Sequence, residues 1–458
     1  MAGCLRPHRE AKTLRPNWSV LWIYLLGVFM GALDTSVLAP AFPLLAHAFR
    51  ISLGWDAWTV TTYTVAYVAS TVLAGAAGDR WGRERLFSWG IVAFGAASLL
   101  AVASGTFWVF LLARAVQGAG AGAVYPNAQA AGIAEFPPER RGTALGIFGA
   151  AFGVATILGP NLGGLLAQYL TWRSIFLLNV PLALVVLLRA RSLPSAARSS
   201  EPLPDWRGGV AFAAMLAAAL LVIALPSWWR WPALGVAVLL AAAFGLRQRT
   251  AREPFLDTAP LANRAGVAMV VGAAIIGLDM SSAVFVPMLT QKDFGFSVLA
   301  SGVALMPAAL SGAVLAGVVG VLVDRIGPRI LVQVGLLLAA VGGTLLALPH
   351  LNLTRFLLAM VALGTSTAFT MGAPLNRIAL ALYRDSRSAQ ALSLAAVFRS
   401  VGLAAGPVLL TAAARRTGLG GMFGVVAVAS AVGVVVFYGV PQRVAAPVAD
   451  RGQPVTES

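Results

Sequence analysis

With only 11% of its 458 residues charged, the chain has too little Asp, Glu, Lys and Arg for a water-soluble fold, because soluble domains run near a quarter charged. Cysteine occurs once, at Cys4, which excludes an intramolecular disulfide and any multi-cysteine metal site. Histidine is nearly as scarce. His8, His47 and His350 stand too far apart in sequence for an H-E-x-x-H pair or a similar metal constellation. Lysine is present only as Lys12 and Lys292, neither of them after a glycine, so there is no Walker A phosphate loop and no ATPase activity by that device. No enzyme, no metal site, no cofactor and no partner ATPase subunit is expected.

What the chain does have is apolar length. Hydrophobic residues make up 59% of it, and uncharged runs at 86–113, 142–172, 294–323, 330–354 and 417–442 are each long enough for one or two bilayer crossings, a crossing needing about 20 apolar residues. The net charge of +16 would suit nucleic acid if it clustered on one face or tail. Instead the basic residues occupy short gaps between apolar runs, where they act as topology signals, and no nucleic-acid partner is expected.

Hydropathy with Gly, Pro and charge as punctuation predicts fourteen helices, near 18–43, 57–78, 86–104, 107–133, 142–169, 174–190, 208–225, 229–246, 265–290, 298–323, 329–348, 354–381, 391–414 and 420–440. Alternate connections differ sharply in basic residues. One side carries only Arg50, Arg173, Arg230, Lys292, Arg355, Arg415 and Arg416; apart from Arg114, Arg377 and Arg399 inside helices, the rest of the 33 Lys and Arg fall on the side of the termini. The positive-inside bias therefore predicts that both termini are cytoplasmic.

The chain also repeats itself. Residues 32–37, Ala-Leu-Asp-Thr-Ser-Val, are echoed by 277–282, Gly-Leu-Asp-Met-Ser-Ser, each placing an Asp in mid-helix, and 75–83 is echoed by 320–329. Helices 1–6 thus match helices 9–14, with helices 7 and 8 left as a central pair. The expected organisation is an N-terminal tail at 1–17, a six-helix bundle at 18–190, a two-helix insertion at 208–246, a second bundle at 264–440 and a C-terminal tail at 441–458. Duplicated halves with a mid-membrane site between them form a transporter architecture.

Four groups of residues carry candidate chemistry. Gly75, Asp79, Arg80, Gly82 and Arg83 form a tight connection after helix 2, in which glycines allow close approach and the acid–base cluster can make charge-assisted hydrogen bonds that latch one conformation. The plainer reading is a basic turn that obeys topology. Arg114 and Gln117 lie three apart on one helix face, and an intramembrane Arg costs about 2.5–3.5 kcal/mol on insertion scales, so it must face protein or water and find a partner. Gly159, Pro160, Gly163 and Gly164 supply a kink and a thin packing face, for a hinge or for a passive seam. Asp34 is a carboxylate in an apolar helix, where low dielectric disfavours its charged form and suits it to carry a proton; a structural ion pair with an Arg is the alternative. Tyr63, Asn127, Asp279 and Asn376 are further candidates for polar contacts in a substrate cavity, with interhelical packing the competing role for the asparagines.

These motifs together resemble the major facilitator superfamily, and within it the 14-helix drug:proton antiporter branch. Residues 75–85 resemble its loop 2–3 signature, 114–120 its helix 4 motif, 159–164 its antiporter helix 5 motif, 33–37 its helix 1 motif and 172–181 a stretch at helix 6. The chain departs from the pattern at Ala39, Pro40 and Glu84. The resemblance implies an all-α polytopic membrane protein of major-facilitator fold, two six-helix bundles plus two extra central helices. It further implies that Asp34 and Arg114 serve proton coupling and that the loop 2–3 cluster gates the conformational switch. The expected function is proton-coupled efflux of drugs or other small amphipathic compounds from a bacterial plasma membrane, with protons, a small-molecule substrate and membrane lipids as partners. The alternatives are transport of one metabolite or self-made antibiotic and, more remotely, a non-transporting membrane sensor or scaffold.

Overall fold

Apolar runs of this length leave the backbone one economical solution, because in lipid every N–H and C=O must be satisfied within the protein. In the computed structural model, which describes residues 17–51, 55, 57–137, 141–194, 205–225, 227–251, 254–256, 259–371, 373–382 and 388–441, every regular element among the described residues is a helix. The rods of the first half are α1 (Trp18–Phe49), α2 (Trp58–Trp81), α3 (Arg83–Ala103), α4 (Phe107–Ala134), α5 (Arg141–Tyr169) and α6 (Trp172–Ala190). Two more follow, α7 (Trp206–Ala224) and α8 (Ser227–Thr250). The second half comprises α9 (Arg264–Asp293), α10 (Val298–Val303 continued by Met306–Ile326), α11 (Pro328–Ala347), α12 (Leu353–Ala381), α13 (388–417) and α14 (419–436). The last two are separated only by Gly418, whose φ of 76° breaks an otherwise continuous helix.

Eleven segments among the described residues are long and apolar enough to cross a membrane, the stretch Leu394–Gly439 on both sides of Gly418 counting once. Helices α2 and α5, of 24 and 29 residues, are also of spanning length. Two boundaries differ from the sequence expectation. First, α1 continues to Phe49 because Pro40 and Pro43 fall at the starts of a 3₁₀ turn (Ala39–Ala41) and of the short helix Phe42–Phe49, where a missing N–H costs nothing. Second, the connection expected at 79–85 contracts to one residue, Gly82, with φ 103°, and Gly327 repeats the device between α10 and α11 with φ 94°. The expected N-terminal tail lies outside the described residues except for Asn17, and the C-terminal one except for Pro441.

Packing follows the repeat. In the first half α1 packs on α5, α2 and α3 on α4, and α3 on α6; in the second α9 packs on α13, α10 and α11 on α12, and α11 on α14. The register agrees at the level of atoms. Gly118 of α4 abuts the Tyr63 carbonyl of α2, and Gly364 of α12 abuts the Ala308 carbonyl of α10. In the same register Gly159 meets the Ser36 side chain and Gly406 the Ser281 side chain. This superposition aligns Phe110-Leu-Leu-Ala-Arg114 with Phe356-Leu-Leu-Ala-Met360.

The halves meet along α2–α13 and α5–α10, and α7 packs against both α2 and α13, so the extra pair straddles the first of these seams. At the end of the bundle opposite the Gly82 and Gly327 turns, the halves are fastened together. Gln291 Nε2 donates to the Pro40 carbonyl (3.3 Å), the Leu299 amide donates to Gln168 Oε1 (2.9 Å), and Gly302 abuts the Pro160 carbonyl. Phe42 and Phe285 close the same end with ring centroids 6.5 Å apart.

Candidate functional site

Asp34 sits in mid-α1, with its side chain fully enclosed. Its Oδ2 accepts from Arg114 Nη1 at 2.6 Å and its Oδ1 from Asn179 Nδ2 at 3.0 Å. Arg114, 2% exposed, also donates through Nη1 to Gln117 Oε1 (2.9 Å) and through Nε to the Thr59 carbonyl (3.2 Å). Gln117 Nε2 donates to Ser98 Oγ at 2.8 Å, and the Ser98 hydroxyl donates on to the Phe94 carbonyl. Side chains or carbonyls of α1, α2, α3, α4 and α6 thus converge on one neutral ion pair.

The network is nearly saturated, and burial makes that necessary: each ion gives up several kcal/mol of hydration, which only its partner and the surrounding donors and acceptors can repay. The Arg114 guanidinium lies 4.4 Å from the centroid of the Tyr63 ring and 5.8 Å from that of Phe176, so cation–π attraction adds to the pairing. The Tyr63 hydroxyl is buried without a hydrogen-bond partner, and its ring stacks on Tyr67 with centroids 6.4 Å apart.

Of the residues singled out in the sequence, the structure brings Asp34, Arg114, Gln117 and Tyr63 together. Asp279 occupies the equivalent depth in α9, is buried, and accepts from Ser366 Oγ of α12 at 3.2 Å. Asn127 does not join either carboxylate. Its Nδ2 donates to the carbonyls of Ala74 and Ala123, and its Oδ1 rests against Gly78, which makes it a clip between α2 and α4. Asn376 is exposed on the Ala373–Ala381 segment of α12.

The helix 5 glycines form a seam on two sides. Gly159 and Gly163 abut α1 at Ser36 and the Val37 carbonyl, while Gly164 abuts Val298 and Leu299 of α10 in the other half, and the Pro160 carbonyl receives Gly302. In the Gly82 turn, Gly75 packs near Pro126, Arg80 is exposed and Arg83 half-buried; the side chain of Asp79 lies outside the described residues. Arg80, Trp81, Arg85 and Trp89 surround a shallow recess of about 290 Å³.

Sequence reasoning did not assign Asn179, Ser98, Ser366 or the Thr59 carbonyl to these sites. The available signal for the side chains was a polar residue inside an apolar helix, which identifies a candidate without naming its partner. Arg399 of α13, counted only as an arginine within a helix, belongs to the same class.

The model of the Major Facilitator Superfamily matches residues 24–208 and 267–457. The puromycin resistance protein of Streptomyces alboniger is 33% identical over 409 residues, covering 86% of this chain and 81% of that protein. The tetracenomycin C resistance and export protein of Streptomyces glaucescens is 32% identical over 377 residues, covering 78% and 69%. Among solved structures, a peptide transporter bound to sulfate superposes with a TM-score of 0.70 at 16% identity, covering 93% of this chain and 97% of that one, a likeness of fold alone.

Proposed function

Because the chain belongs to the Major Facilitator Superfamily and is a secondary transporter of small molecules rather than an enzyme, we propose that it exchanges protons for an amphipathic compound, exporting the compound across a bacterial plasma membrane. The observation that carries this reading is the enclosed Asp34–Arg114 pair with Asn179 as its third member. In this reading Asp34 is the proton carrier. Protonation cancels its charge, releases Arg114 Nη1 and leaves an unpaired guanidinium that favours rearrangement of α1 against α4. Loss of the proton restores the pair and returns the helices to the arrangement seen here.

The basic ends of α2–α3 and α10–α11 are assigned to the cytoplasm by the positive-inside bias, and both termini with them. The fastened end is then external, so this conformation is closed on that side. A proton entering across 100 mV supplies about 2.3 kcal/mol, enough for a cargo gradient of roughly 50-fold at 1.4 kcal/mol per tenfold. The relatives named for puromycin and for tetracenomycin C support cargo of the drug class, and because each is named for one compound they equally support a narrow, single-compound range.

The test uses proteoliposomes of the full chain carrying a pH-sensitive dye. Addition of cargo should release a proton flux, and an imposed pH gradient should drive cargo uphill. A parent protein that moves cargo only downhill, with no proton signal, would remove the coupling from this reading.

A further inference from the structure

The Gly82 and Gly327 turns share a backbone and differ in what surrounds them. Around Gly82, the recess at the corner of α2 and α3 is bordered by Arg80, Trp81, Arg85 and Trp89, and all four side chains are exposed. The repeat sets Arg325, Ile326, Ile330 and Val334 at those positions around Gly327, so one of the two arginines and neither tryptophan recurs. Arg329, the other basic residue at that second turn, is already engaged. It donates to the Val440 carbonyl (3.1 Å), and its guanidinium lies 4.7 Å from the centroid of the Tyr438 ring.

Among the described side chains no carboxylate pairs with Arg80 or Arg85. The acid of the turn, Glu84, is half-buried and lays its carboxylate against Gly82 instead of lining the recess. From Arg85 onward α3 presents one bare face: Arg85, Trp89, Val92, Ala96 and Leu99 recur at alternating steps of four and three, and each is exposed. The helices that α3 packs on, α2, α4 and α6, leave this face uncovered. Between Trp89 and Leu99 it runs about 15 Å at the helical rise, which is one leaflet's share of a hydrocarbon core about 30 Å thick. Arg85 therefore stands at the head of an apolar track, with Arg80 beside it across the recess.

Two cations above an apolar track are complementary to an amphiphile with an anionic head. Guanidinium groups match the oxygens of a phosphate, tryptophan rings settle at the headgroup level, and the cytoplasmic leaflet is the one rich in anionic lipid. We propose that this corner binds an anionic phospholipid of the cytoplasmic leaflet. Arg80 and Arg85 hold its phosphate, Trp81 and Trp89 flank its glycerol region, and one acyl chain follows Val92, Ala96 and Leu99. The site goes beyond the transport reading and needs from it only that the basic ends of α2 and α3 face the cytoplasm. Because Gly82 alone joins these two helices, a phosphate held from both sides of it braces α2 against α3.

The experiment measures lipid binding alone. Purified full-length protein, delipidated in a neutral detergent, is titrated with dioleoylphosphatidylglycerol and separately with dioleoylphosphatidylcholine, and native mass spectrometry gives the Kd of the first lipid bound. The parent should prefer phosphatidylglycerol by about tenfold. Arg80→Gln/Arg85→Gln should abolish that preference and leave phosphatidylcholine binding unchanged, whereas Arg325→Gln at the counterpart turn should keep it. Trp89→Ala should weaken both lipids, since it removes track and no charge. A parent that binds the two lipids equally, a double variant that keeps the preference, or an Arg325→Gln protein that loses it overturns the assignment. So does a Trp89→Ala protein that binds both lipids as the parent does, or displacement of phosphatidylglycerol by glycerol phosphate, which would make the recess a site for free phosphate esters. If the double variant does not elute as a monodisperse species, the parent's preference and the Arg85→Gln titration decide alone. Neither cargo nor gradient enters the measurement. Loss of the lipid preference would leave the transport reading standing, and a parent that moves no proton would leave the lipid site standing.

Discussion

The two halves hold a carboxylate at the same depth of the same helix and surround it with opposite chemistry. Around Asp34 stand Arg114, Asn179 and, one step out, Gln117. The repeat places Met360, Val426 and Leu363 at those three positions of the second half, all of them buried, and Asp279 is left with the Ser366 hydroxyl. The backbone scaffold, by contrast, is shared down to individual glycine contacts. Duplication thus supplied one architecture twice, and among the described residues only the first copy holds a charged pair in its core. The second half carries its arginine elsewhere, at Arg399, aligned with Phe152 of α5, while its own carboxylate takes a hydrogen bond from Ser366.

The comparison breaks most readily at Asp34. Asp34→Asn leaves the Arg114 charge enclosed without its counter-ion, and removal of one partner from a buried pair costs about 3–5 kcal/mol. Thermal unfolding in detergent should show a large loss, and gradient-driven transport should cease. The double variant Asp34→Asn/Arg114→Met copies the second half. It should regain most of the lost stability, since no charge is left unpaired, and still fail to couple. A single variant as stable as the parent would mean that the pair carries no structural weight and that the halves differ only in name.

Shared scaffold predicts equal penalties. A methyl group at Gly118 would meet the Tyr63 carbonyl, and one at Gly364 would meet the Ala308 carbonyl. Neither main-chain atom can retreat as a side chain would. Gly118→Ala and Gly364→Ala should therefore each cost about 1–3 kcal/mol, within error of one another in the same unfolding assay. A large difference would show that the α2–α4 and α10–α12 crossings are not equivalent. Asp279→Asn comes next, at about 1 kcal/mol or less, because no guanidinium depends on that carboxylate and an amide oxygen still accepts from Ser366.

The all-helical, membrane-spanning fold and its internal repeat were legible in the sequence because apolar length and charge punctuation are properties of single segments. Pairings were not, since they depend on where helices cross. Asp34 and Arg114 are 80 residues apart, and nothing in either motif chooses between a mutual ion pair and two separate roles. Helix phase explains Asn127. It lies thirteen residues after Arg114, which rotates it by about 220° around α4, away from the Asp34 cluster and onto Gly78 of α2. Arg399 was visible as a charge in an apolar run, but its lack of a carboxylate partner could emerge only once α9 and α13 were packed.

The smallest effect expected lies outside both halves, where α7 and α8 are clasped at their basic end by Arg247, which donates to both oxygens of Asp205 at 2.8 Å. These bonds hold the Asp205 carboxyl below its usual range. Its folded-state affinity for a proton is thus lower than in the unfolded chain, so the clasp is fully formed above the ordinary carboxylate value of about 3.9 and is lost as pH falls through the folded value. Arg247 is partly exposed, and screened pairs at such positions contribute little. Arg247→Gln should lower the melting temperature slightly at pH 7, and the gap from the parent should narrow below about pH 4. The Asp34→Asn deficit provides the contrast, since screening by added salt should erode the Arg247 effect and leave that of an enclosed pair almost untouched. Equal salt sensitivity in the two variants would place Asp34 within reach of bulk water.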